Sequence, residues 1–527
     1  MGIIAAYMVP HPPMIVPQIG RGSEKQIEAT TRAYKQAADE IAQLRPETII
    51  ITSPHSIMYS DYFHISPGKK AGGSFVRFGV PEVRFDEQYD TELRERICGI
   101  ADAQGFPAGT LGEQDPQLDH GCMVPLYFIR KAYREYREAD GEQPRQPGTQ
   151  ESGVRQSGVR QSGAQESGAQ MSELHGDSAD FRILRVAISG LPLTDHYRLG
   201  QMIRQAAEEL DRRTVLVASG DLSHKLQDYG PYGYAPEGPQ YDARIMDVCS
   251  RAAFGELFDF SESFCDKAAE CGHRSFVIMA GALDGVDVEA KQLSHEDVTG
   301  VGYGICTFHP RMNSGGALGA AEQEALQTPS QKPSKDDRKF LDRYLEKTEA
   351  AIRQQRSDED PYVRLARRSL ESYILKRQKI RVPEDLPGEM MQRRAGVFVS
   401  IHKHDRLRGC IGTILPTTGS IAEEIIRNAI SASTQDPRFE PVTPDELKWL
   451  DVSVDVLGDP ERIGSIDELD VKRYGVIVTS GARRGLLLPD LDGVDTPEQQ
   501  VSIAMRKGGI DEDEPVMLER FEVIRHH

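Results

Sequence analysis

Three histidines, His11, His55 and His224, each stand a few residues beyond a short apolar run. The stretches that carry them are Pro10-His11-Pro12-Pro13, Ser53-Pro54-His55 and Ser219-Gly220-Asp221-Leu222-Ser223-His224. A histidine between prolines is readily a rigid turn residue, but neutral imidazole is also the commonest metal ligand and a proton carrier near neutral pH. Two imidazoles and one carboxylate on one face hold Fe(II) while leaving positions open for substrate and oxygen. Glu270 suits that role because it precedes a helix start and could be drawn to a cation there; the alternative is a helix-terminal charge favoured by the dipole. Cys265, Cys271 and His273 offer a competing zinc set, although the spacing of the cysteines is unusual.

The elements that must position these residues follow from periodicity. Ile3 to Met8 is a continuous apolar run, Glu24 to Leu44 places Ile27, Tyr34, Ala37, Ile41 and Leu44 at helical spacing, and Thr48 to Thr52 is a second apolar run. This pattern predicts a βαβ unit with parallel strands buried on both faces. Further strands are expected at Phe75 to Gly79, Phe181 to Ser189, Thr214 to Ala218, Val286 to Leu293 and Gly300 to Phe308. Helices are expected at Thr91 to Ala103, Met123 to Arg137, His196 to Arg212, Asp242 to Ala253 and Gly272 to Leu283. Open α/β sheets gather ligands at the carboxyl ends of their strands. His11, His55 and His224 all follow such ends, so a mostly parallel sheet flanked by helices can assemble them without sequence proximity.

A chain of 527 residues is too long for one core. Its seven cysteines are odd in number and lack paired CxxC spacing, which argues against a disulfide framework and for a reducing compartment. The formal charge of -19 repels phosphate backbones, so nucleic acid is a poor partner. No apolar run has membrane-spanning length and the start lacks a basic signal region, so a cytoplasmic protein with no membrane association is expected. Residues 141–180 are polar and contain a five-residue repeat, from Glu151 to Arg155 through Glu166 to Gln170, read as a disordered insertion. The first domain spans 1–310, a flexible linker 311–337 and a charged helical connector 338–360. The last domain, 361–527, mixes strands and peripheral helices as an α+β unit.

Pro10-His11-Pro12-Pro13, Ser53-Pro54-His55, Asp119-His120-Gly121 and Ser219-Gly220-Asp221-Leu222-Ser223-His224, followed by Ala269-Glu270, resemble in order the catalytic B subunit of class III extradiol ring-cleavage dioxygenases. The resemblance implies Fe(II), or another divalent metal, on His11, His55 and Glu270. It also implies His224 as acid/base, His120 in contact with the substrate or behind the ligands, and a small aromatic, catechol-type substrate. Memo-like proteins share this fold, and in them a cysteine can replace the carboxylate; Cys271 and Cys122 lie close to the proposed site.

In the last domain, Leu407-Arg408-Gly409-Cys410-Ile411-Gly412 would, as a strand, put Cys410 on one face with Arg408, a cation that favours a reactive thiolate. The bland alternative is a small core residue. With Asp436-Pro437-Arg438-Phe439 and the Gly481 to Pro489 stretch, this motif resembles the AMMECR domain. The whole chain resembles the fused component of AmmeMemoRadiSam systems, which implies a radical SAM protein as partner. A homo-oligomer is a further expectation.

Overall fold

The computed structural model describes residues 2–139, 181–311, 340–403, 406–491 and 493–527. The repeat-bearing insertion expected at 141–180 and nearly all of the linker expected at 311–337 lie outside these described residues. Two compact units are formed, Met1–Tyr344 and Leu345–His527.

In the first unit, β1 (Gly2–Val9), β2 (Thr48–Ser53), β3 (Arg182–Ala187), β4 (Arg213–Ser219), β5 (Val288–Glu296) and β6 (Tyr303–Pro310) make one sheet. The order is β3-β2-β4-β1-β6-β5. The first four strands run parallel, and β6 and β5 close the edge antiparallel. The sheet is therefore mixed, with the parallel part where the α/β pattern predicted it. Strands β1, β2 and β4 are buried almost throughout, which explains their continuous apolar runs.

The longer helices of this unit are α1 (Glu28–Leu44), α2 (Thr91–Ala103), α3 (His120–Ala139), α4 (Leu193–Glu209), α5 (Glu237–Ser250), α6 (Glu262–Ala268) and α7 (His273–Ala282). In α1, Ala33, Tyr34, Ala37, Ala38 and Ile41 are buried, the i, i+3, i+4 stripe of a helix lying on a sheet. Tyr34 stacks on Phe128 of α3 at 4.4 Å between ring centroids and donates its hydroxyl to the Pro10 carbonyl at 2.9 Å. The helix layer thus fixes the backbone immediately before His11.

One expected strand is corrected. Of the strand expected at Phe75 to Gly79, Phe75 ends the strand Lys70–Phe75 and the rest is the turn of a hairpin that leads into Val80–Gln88. Gly79 adopts φ 76°, a left-handed conformation that suits glycine and reverses the chain after the turn Val76–Phe78.

Helix α8 (Phe340–Asp358) contains the boundary between the units, and the second unit continues with α9 (Pro361–Lys376). Next come β7 (Val397–Lys403), β8 (Arg406–Gly412), α10 (Ile421–Thr434), β9 (Leu450–Leu457), β10 (Glu461–Ile463), β11 (Tyr474–Ser480), β12 (Arg483–Leu487), α11 (Pro497–Lys507) and β13 (Met517–His526). The antiparallel order is β8-β7-β9-β13-β11-β12, with β10 on β13. Helices α9 and α10 bury Val363, Leu370, Ile425 and Ala429 against Val397, Val399 and Val452 of the sheet. This is the α+β architecture expected.

Candidate metal centre

The register of the sheet assembles the site. Val9 pairs with Ser219 and Thr52 with Ala218, so the carboxyl ends of β1, β2 and β4 reach the same edge. His11 and His55 each stand two residues beyond their strand. Their Nε2 atoms face each other at 2.9 Å, and the Cys271 sulfur lies 3.6 Å from His11 Nε2. Among the described residues, the only group whose donor atoms all lie close enough to share an ion is His11, His55 and Cys271, within 4.8 Å of one another.

The side chain beside the two histidines is therefore Cys271, where the carboxylate of Glu270 was expected. Glu270 Oε2 accepts the His273 backbone N–H at 2.6 Å, which caps the start of α7. That is the helix-terminal alternative for Glu270, and it leaves the next residue, Cys271, beside the histidines. Burial pushes the Glu270 carboxyl up to about 7. The competing zinc set is not assembled among the described residues: His273 Nε2 is 3.0 Å from the Leu257 carbonyl and its Nδ1 is 3.3 Å from the Tyr241 hydroxyl.

Cys271 reaches the histidines because two glycines cross. A Cβ on Gly220 would lie 2.1 Å from Gly272 Cα, so only hydrogen fits between the loop after β4 and the entry to α7. Asp221 follows at once: its carboxylate accepts the His11 N–H at 2.8 Å and its own N–H points to Cys271 Sγ at 3.3 Å. Burial holds the Asp221 carboxyl up at about 7 and raises the Cys271 thiol well above its ordinary value, with Asp221 and Glu270 adding to the effect.

The other two histidines are close by. His120 opens α3 and stacks on His55 at 4.1 Å between centroids, with Phe78 edge-on to it at 5.6 Å. Its neighbour Asp119 does not pair with the ring; it accepts from Ser53 Oγ at 2.5 Å and Ser56 Oγ at 2.7 Å. His224 packs against Tyr232 at 5.0 Å, and its buried Nε2 has no hydrogen-bond partner. Burial and then the neighbouring His55 lower both His120 and His224 to about 4. His11 lies well below its ordinary value through burial and the surrounding imidazoles, and burial lowers His55 as well. These shifts favour the neutral imidazole, which is the state that binds a metal or accepts a proton. A recess of about 260 Å³ adjoins His55 and His120, lined also by Ser56, Phe78, Asp119 and Arg185.

Comparison with known proteins bears on this geometry. The family model described as the catalytic LigB subunit of aromatic ring-opening dioxygenase matches residues 5–139 and 174–306, and the AMMECR1 model matches 363–526. Protein CA_C1420 of Clostridium acetobutylicum is 37% identical over 534 residues, covering 100% of this chain and 99% of that one. The chain belongs to the LigB family and carries a C-terminal AMMECR1 domain. A Thermotoga maritima protein is 55% identical over 170 residues, 32% of this chain and 98% of its own. Among solved structures, uncharacterized protein PH0010 from Pyrococcus horikoshii shares 34% identity over 31% of this chain and 88% of its own, at a TM-score of 0.29. Uncharacterized protein JW3007 from Escherichia coli K12 shares 13% over 58% of this chain and 99% of its own, at 0.34. At these TM-scores the two structures add nothing to the assignment.

The LigB unit thus has the dioxygenase-like catalytic fold of its superfamily. Among the described residues, no helix is long and apolar enough to cross a membrane, and all seven cysteines are free.

In the AMMECR1 domain Arg408, the cation expected beside Cys410, has a carboxylate partner. Arg408 forks onto Glu446, Nε and Nη2 each at 3.0 Å, and Lys403 joins the same carboxylate at 3.0 Å. These cations and the Thr443 N–H hold Glu446 down at about 2 against its burial. The Arg408 charge is thereby committed to a carboxylate. Cys410 lies opposite Ser400, whose hydroxyl is 3.3 Å from its sulfur, and its backbone N–H donates to Asp436 at 2.9 Å. Gly409 is explained by packing: a Cβ there would lie 2.1 Å from the Ala432 carbonyl of α10.

Proposed function

We propose that the LigB unit is a metal-dependent oxidoreductase in which His11, His55 and Cys271 hold Fe(II), or another divalent metal, and which acts on a small catechol-type aromatic. The observation that carries this is the convergence of three donor atoms from three separate segments within 4.8 Å. The donor chemistry fits a metal: two neutral imidazole nitrogens point at each other at 2.9 Å with a sulfur beside them, and a shared cation satisfies all three at once. Nitrogen with soft sulfur suits iron, zinc or copper better than magnesium or calcium. Bound there, iron would supply a redox-active Lewis acid.

The protein's own groups supply the rest. His224, neutral and with its buried Nε2 unpartnered, is the group that takes a proton from a catechol hydroxyl and returns it. His120 and Phe78 give the recess an aromatic wall, against which a single ring stacks. Its volume of about 260 Å³ accommodates one ring. Protein loaded with Fe(II) without air should consume oxygen when air and a catechol are supplied, and His224→Gln should slow this by ~10²-fold or more while iron is retained. No uptake across a broad catechol panel would overturn the proposal.

A second reading comes from the sulfur donor itself. Cys271 stands where the carboxylate of a two-histidine iron site was expected, a departure from the donor set that oxygen-using non-heme iron sites share; under this reading the same site serves an oxygen-independent metal protein working with a radical SAM partner. Copurification with such a protein, together with absence of oxygen uptake, would select this reading.

A further inference from the structure

Ser219 is the last residue of β4 and is fully buried. Its hydroxyl donates to the Gly121 carbonyl at 2.6 Å, because a carbonyl oxygen can only accept. The same oxygen lies 2.9 Å from His11 Nδ1. The single hydroxyl hydrogen is already committed to Gly121, so the contact with His11 is satisfied only if Nδ1 carries a hydrogen and donates it to Ser219.

From this one-way chain of donors we infer that Ser219 is a positioning residue that fixes His11 as the Nδ1–H tautomer and leaves its Nε2 lone pair open toward His55 and Cys271. The inference rests on the metal assignment above for its purpose, but the tautomer itself exists with or without a metal. A neutral imidazole offers one bare nitrogen, and the hydrogen bond made by the other decides which one it is. Here the deciding group is a hydroxyl, and its orientation is set in turn by the first turn of α3. That helix start also carries His120, so one carbonyl links the geometry of His11 to that of the neighbouring ring.

The burial of the chain makes the choice effective. His11 is 1% exposed and Ser219 0%, so water does not compete for Nδ1. Strand register keeps the two together, since Val9 pairs with Ser219 and the Gly220 N–H donates to the Val9 carbonyl at 2.9 Å.

The test uses the full-length chain with 15N-labelled histidine. In metal-free wild type, the His11 ring, assigned by its loss in His11→Gln, should show the 15N pattern of an Nδ1–H tautomer. Ser219→Ala should move it to a mixture or to Nε2–H, and Ser219→Thr, which keeps the hydroxyl, should restore it. In chelator competition with Co(II), Ser219→Ala should bind ~10- to 100-fold more weakly, the usual loss when a partner behind a ligand is removed, with Ser219→Thr close to wild type. An unchanged His11 pattern in Ser219→Ala, or an Nε2–H pattern in wild type, would overturn the inference whether or not the metal binds. Wild type that shows the Nδ1–H pattern but binds no Co(II) would instead overturn the metal assignment and leave the tautomer role supported.

Discussion

The backbone N–H of Asp221 points at the Cys271 sulfur from 3.3 Å. This contact joins the loop after β4 to the entry of α7 and lies at the point where the sulfur approaches the two histidines. A thiolate accepting an N–H from a fixed loop is favoured over one left bare in a buried site. It exists because Gly220 and Gly272 pass each other with no room for a side chain.

Gly220→Ala should separate these segments. Its new Cβ would meet Gly272 Cα at 2.1 Å, and overpacking of this kind costs ~1–3 kcal/mol. Metal affinity should fall as well, because Cys271 is displaced. Thermal unfolding and metal titration of the variant check both; unchanged metal affinity would mean that the glycine crossing does not position the sulfur.

Acid should destabilise the metal-free protein partly through His224. Burial lowers its folded value to about 4, against about 6.5 when unfolded. Between these values the unfolded chain binds the extra proton, so stability rises with pH across that window and is lost as pH falls. Urea unfolding at pH 7 and pH 5 should show wild type losing more stability than His224→Gln, by on the order of 1 kcal/mol. Equal losses would contradict the assignment of His224 as a buried neutral ring.

Arg408 should matter for folding rather than for cysteine reactivity. Removing it leaves Glu446, 15% exposed, without its forked partner, and Arg408→Ala should destabilise the AMMECR1 domain by ~1–3 kcal/mol. Because Glu446 is held down at about 2, its share of stability is present above the unfolded carboxylate value of about 4.5 and is lost as pH falls through about 2. The rate of Cys410 alkylation by iodoacetamide should stay unchanged in Arg408→Ala. A marked slowing would restore Arg408 as the cation that activates the thiol.

What the sequence made legible depended on whether the deciding interaction was local. His11, His55 and His224 could be placed because apolar runs mark parallel strands, and parallel strands put their ends on one edge. The strand that carries Cys410 was equally plain. The choice between Glu270 and Cys271 was not legible, since both precede α7 and only the backbone path decides which one caps the helix. Val76 misled for a similar reason: it is apolar yet 54% exposed on a turn, and the glycine that bends the chain could equally have ended a strand. Ser219 gave no signal, because its role depends on a carbonyl 98 residues away in sequence.

The central claim is the ligand set, and metal analysis of anaerobically purified, Fe(II)-loaded protein tests it most directly. Wild type should hold about one ion per chain, while His11→Ala, His55→Ala and Cys271→Ser should lose it and Glu270→Gln should keep it. Wild type that holds no metal, or a Cys271→Ser variant that keeps the metal while Glu270→Gln loses it, would contradict the account.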